Sequence, residues 1–199
     1  MNVNVISRLT NSTLIKPDTL SGLVAILAVF GSVVILSGGI WDAISHLQRE
    51  PELFWTIQHV SVYAGVSMVT SAGIIGTVLL VRNSSKGILK KGIQLVIVGS
   101  TIQLISGFVD SLSHDVYGID GLISWSHQPL ELGIVLAALG GFLIIKSRQH
   151  TKLKIFLPFS IIALLLLTSW LGFNIFLVFG HVIQCIPVYD IFSSGCSIL

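Results

Sequence analysis

The sequence predicts an all-α integral membrane protein: a helical bundle of about five transmembrane helices, built around an internal parallel repeat of two helical hairpins. Three observations lead there. Hydrophobic side chains make up 53% of the 199 residues and charged ones only 10%, whereas a soluble surface normally needs roughly 25% charged residues. Long stretches carry no charge at all, and an Asp, His, His pattern returns after 68 residues. Mean hydropathy is +0.91.

A spanning helix needs about 20 mostly apolar residues, because lipid offers the backbone no hydrogen-bond partner and every N–H and C=O must be satisfied within the segment. The opening segment, 1–18, is polar and lacks the apolar core of a cleavable signal, so it is read as a cytoplasmic terminal segment and the first helix is expected to be retained. Thr19 to Ile40 and Phe54 to Val81 are uncharged and make the first hairpin, 19–81. A basic loop, 82–91, follows. Gly92 to Val109 is uncharged and Leu122 to Ile145 carries only Glu131, giving the second hairpin, 92–145. A second basic loop covers 146–154, and 155–199 forms a C-terminal membrane segment and tail. Within it, Ile155 to Tyr189 is uncharged over 35 residues, which exceeds one span and is short for two. One helix with an interfacial piece is expected; a hairpin broken near Gly172 would make six helices.

The basic residues set the orientation. Arg82, Lys86, Lys90 and Lys91 lie in one loop, Lys146, Arg148, Lys152 and Lys154 in the other, and Arg8 and Lys16 near the start, leaving only Arg49 on the opposite side. By the positive-inside tendency these ten residues face the cytoplasm of a multi-pass cell-membrane protein. The net charge of +2 is accounted for by this asymmetry, so membrane lipid is the expected partner and nucleic acid is not. Cys185 and Cys196 fall near the outer end, where they are either a disulfide or two unpaired thiols.

Aligning the chain with itself at an offset of 68 pairs Gly31 with Gly99, Ser32 with Ser100, Leu36 with Leu104 and Gly39 with Gly107. In the same register Asp42 meets Asp110, Ser45 meets Ser113, His46 meets His114, His59 meets His127, and Gly65 meets Gly133. Asp and His four apart on a helix share a face one turn apart. Pro51 in the first copy, and Gly118 and Gly121 in the second, reverse the chain so that the second His returns to the same depth. Each hairpin thus gathers two imidazoles and one carboxylate at its extracytoplasmic corner. That donor set suits copper, zinc or iron, whereas calcium and magnesium take oxygen ligands. Glu131, one turn after His127, is a candidate further ligand or orienting acceptor, with Tyr63 at the equivalent place in the first copy and His181 a more distant candidate. Ser45 and Ser113 read as helix-end hydrogen bonders, Trp41, Trp55 and Trp125 as an interfacial aromatic belt, and His150 as surface.

Asp42, His46 and His59, with Glu52, Trp55, Thr56 and Tyr63 among and after them, resemble the metal-site segment of the C subunit of copper membrane monooxygenases, the particulate methane and ammonia enzymes. In that family an Asp-x3-His-x12-His arrangement on adjoining helices holds copper, and a later helix pair supplies a second set. The resemblance covers the two motif hairpins. It implies a copper site that activates dioxygen for hydroxylation of a small substrate such as methane or ammonia, in a complex with A- and B-type subunits. The chain departs from the family pattern at Asp110, where the second set has Asn; the interval from His114 to His127 is one residue shorter; and Ile57 and Gln58 stand where a proline precedes the second His.

Two other classes fit the same residues. A b-type cytochrome would use the four His as axial ligands, although Pro51 places His46 and His59 on different helices. A transporter or channel would relay protons or metal ions along the Asp and His groups. A zinc hydrolase lacks an evident nucleophile. One dinuclear centre or two separate sites, and a homo-oligomer or a larger complex, are equally consistent with the sequence.

Overall fold

The computed structural model describes residues 16–48, 56–117, 127–179, 186–187 and 196–197, with the backbone alone described for 46, 47, 113–117, 178 and the last two pairs. The described chain is an all-α bundle: α1 (Pro17–Gln48), α2 (Ile57–Val81), α3 (Gly87–Tyr117), α4 (His127–Ser147), a short 3-10 helix (Lys152–Phe156) and α5 (Leu157–Phe179). Ile186–Pro187 pairs antiparallel with Cys196–Ser197, a ladder of two residues a side. All five α-helices are long and apolar enough to cross a membrane, as in a multi-pass membrane protein. α5 continues through Gly172 without a break, so the C-terminal segment gives one described span rather than a hairpin.

α1 and α3 run well past their uncharged windows, to Gln48 and Tyr117. Lipid limits where charge is tolerated, while helix continues into the headgroup region wherever no residue breaks it. Asn83 ends α2 in the left-handed region, φ 51°. Its N–H reaches Leu80 O at 2.9 Å and that of Ser84 reaches Leu79 O at 3.4 Å, the paired bonds that close a helix C-terminus on a left-handed residue. Gly87, φ 55°, then opens α3.

Small residues set the spacing within each hairpin. A Cβ placed on Gly31 would stand 3.0 Å from Gly65 O, and one on Gly65 2.7 Å from Gly31 O. In the second hairpin a Cβ on Gly99 would stand 2.6 Å from Gly133 O, and one on Gly133 2.8 Å from Gly99 O. The second pair lies 68 residues after the first, the offset of the repeat. In lipid the apolar effect does not drive helices together, so close backbone approach at glycine supplies the dispersion contacts that do.

α4 packs against α1, α3 and α5 and is the most buried of the spans; α5 is the least. Two apolar clusters fill the interior. One contains Val24, Ala28, Leu79, Ile93 and Ile144, the other Ile35, Val69, Ile134, Ala137 and Leu167. An ion pair of 2.6 Å between Arg148 and Asp18 ties the start of α1 to the segment after α4. The α2–α3 turn lies at that same end, because α1 and α2, then α3 and α4, are successive packed helices. The motif corners therefore lie at the other end.

Candidate functional site

The first corner is built where α1 ends and α2 begins. Asp42 lies in the last two turns of α1 and His59 in the first turn of α2, and His59 Nε2 meets Asp42 Oδ1 at 3.2 Å. The second corner repeats this with α3 and α4: His127, the first residue of α4, brings Nε2 to 3.4 Å from Asp110 Oδ2. Both carboxylates are 15% exposed and the imidazoles 25% and 20%, so each pair is partly buried. The helices place His46 and His114 one turn beyond Asp42 and Asp110, but both imidazoles lie outside the described side chains. Among the described residues, no three His, Cys, Asp or Glu side chains are gathered closely enough to hold a metal ion. His181, Cys185, Trp55 and Trp125 lie outside the described residues, as does the side chain of Cys196, so the disulfide expectation falls there too.

The neighbours differ between corners. Ser45 accepts a buried 2.9 Å hydrogen bond from Gln58 Nε2, so it joins α1 to α2 rather than only finishing its own helix. Tyr63 follows His59 by one turn, with ring centroids 6.3 Å apart. Trp41 is half exposed at the same level, as a lipid-boundary aromatic is expected to be, and His150 is exposed at the opposite end.

Glu131 has the equivalent place in the second hairpin, and its described partners are on α5. Its Oε1 accepts from Trp170 Nε1 at 3.1 Å and from Asn174 Nδ2 at 2.8 Å. Sequence reasoning anticipated Glu131 as a neighbour of His127 and missed Trp170 and Asn174. A signal existed, since Asn174 is the single side-chain amide in α5. A buried amide in a spanning segment needs a polar partner, and Glu131 is the one acidic residue of α4.

Compared with known proteins, the chain matches no family model, no curated protein and no solved structure.

Proposed function

We propose that this multi-pass membrane protein binds a transition metal, copper in preference to zinc or iron, at two sets of ligands near its extracytoplasmic face. Asp42, His46 and His59 form one set, and Asp110, His114 and His127 the other. The observation that carries the reading is the pair of matching Asp–His contacts, 3.2 and 3.4 Å, built at the ends of two hairpins by residues 68 apart. Donors each about 2 Å from one tetrahedral ion stand roughly 3.3 Å from each other, so the carboxylate and imidazole of each corner have the separation that co-ligands require. Two imidazoles and a carboxylate are also donors of the right kind for copper, zinc or iron.

Copper is preferred on the resemblance to the monooxygenase C subunits. Metal bound there would supply dioxygen activation for hydroxylating a small substrate, in assembly with partner subunits that complete the enzyme. The chain's own part is to hold the ligands: α1 and α3 present Asp and His one turn apart, and the start of α2 and of α4 returns the second His.

The test is metal content by plasma mass spectrometry on detergent-purified, copper-reconstituted protein, wild type beside Asp42→Ala and Asp110→Ala. Copper in the wild type, with each variant losing the share of one site, is the expected result. No tightly held metal in the wild type, or full stoichiometry in both variants, rejects the reading and favours a proton or ion path through the same groups.

A further inference from the structure

Beneath the second corner is a polar cluster that the metal reading does not use. Glu131 on α4 is 7% exposed and Asn174 on α5 only 1%. The described donors that reach them, Asn174 Nδ2 and Trp170 Nε1, are fully committed. Asn174 Nδ2 has two hydrogens and gives them to Glu131 Oε1 at 2.8 Å and to the Trp170 carbonyl at 3.1 Å. The single Trp170 N–H also goes to Oε1. Two acceptors are left over: among the described residues, Glu131 Oε2 and Asn174 Oδ1 are both buried without a hydrogen-bond partner. Gln103, 1% exposed on α3, does not relieve them, since its Nε2 has no partner either.

Two lone acceptors on residues already joined by a hydrogen bond lack a donor between them. A hard cation takes six to eight oxygens, and two are too few. A carboxylate left charged here would stand within a spanning segment, where charge is costly. One proton answers both conditions, because a protonated carboxyl is itself a donor.

We propose that Glu131 and Asn174 form a proton-binding site inside the bundle, with Glu131 held as the neutral acid and its Oε2–H donated to Asn174 Oδ1. The amide and carboxyl are then joined along both edges, and the added proton removes the charge as well as filling the bond. The proton is held one helical turn from His127, on the same face of α4. Glu131 is outside the proposed ligand sets, and the inference stands whether or not the corners hold metal.

Infrared difference spectroscopy on metal-free protein in lipid vesicles tests this, comparing wild type with Glu131→Gln and Asn174→Leu. A protonated-carboxyl carbonyl band in the wild type that is lost in Glu131→Gln is the expected result. In Asn174→Leu that band should move toward the frequency of a weaker hydrogen bond. The wild-type minus Glu131→Gln spectrum decides the matter even if Asn174→Leu does not fold. Glu131→Gln should also melt close to the wild-type temperature, because the glutamine amide replaces the O–H donor without changing charge. A carboxylate band in place of the acid band, as a water-bridged ion would give, overturns the proposal, and so does an acid band that survives Glu131→Gln.

Discussion

Replacing Gly99 by alanine is expected to loosen the second hairpin while leaving the first intact. The new Cβ would stand 2.6 Å from both Ala137 N and Gly133 O. These are backbone atoms, so no rotamer change relieves the contact. α3 and α4 must separate by about 0.8 Å to carry 2.6 Å to the 3.4 Å at which ordinary van der Waals contact begins. Overpacking of this kind costs about 1–3 kcal/mol, and the better helix propensity of alanine offsets about 1 kcal/mol. The net loss should be roughly 0–2 kcal/mol, and the gap to a variant that has the propensity gain alone roughly 1–3 kcal/mol. Gly39 is the internal control, because a Cβ there meets nothing within 4 Å, so Gly39→Ala keeps only the propensity gain. Gly31→Ala, with Met68 Cβ at 2.9 Å and Gly65 O at 3.0 Å, should lose stability in the same sense but less. The assay is equilibrium unfolding in mixed micelles with increasing anionic detergent, followed by tryptophan fluorescence. Gly99→Ala unfolding no earlier than Gly39→Ala would refute the claim that glycine contact sets the hairpin spacing.

Further outcomes follow from contacts at the two ends of the bundle. Ser45→Ala leaves the buried Gln58 amide without its acceptor and should cost about 1–3 kcal/mol; the double variant with Gln58→Leu should recover most of that in the same unfolding assay. Arg148→Ala should change stability by no more than about 1 kcal/mol, since its partner Asp18 is 76% exposed and water screens the pair. In a background with Cys185 and Cys196 replaced by serine, Asn83→Cys should react with an impermeant thiol reagent only from the cytoplasmic side of oriented vesicles. Reaction only from the outside would invert the orientation read from the basic loops.

The sequence reveals the spans because a helix in lipid must be apolar over nearly its whole length, so Phe54 to Val81 announces itself by lack of charge and Leu122 to Ile145 by carrying Glu131 alone. Helix ends are less legible, because α1 and α3 continue into regions where charge is tolerated. The Asp–His pairing at each corner is legible because it repeats: Asp42 with His59 and Asp110 with His127 occupy the same places in both copies and meet in both. The glycines were in view as matched identities, yet only backbone geometry shows that Gly31 faces Gly65 and Gly99 faces Gly133. What α5 contributes was hidden, because which helix covers Glu131 depends on packing that no local spacing encodes. Asn174 hinted that a partner existed without saying where.

That fifth helix makes two like hairpins unlike. Position for position, Tyr63 and Glu131 correspond, yet Tyr63 is 37% exposed and Glu131 only 7%, because α5 lies over the second hairpin and, among the described residues, no equivalent helix lies over the first. The flank of the bundle beside Tyr63 is a side window toward the bilayer, and the flank beside Glu131 is shuttered by Trp170 and Asn174. Among the described residues, the two corners therefore differ in the side they present to the bilayer: the first is open on its flank and the second is closed there by α5.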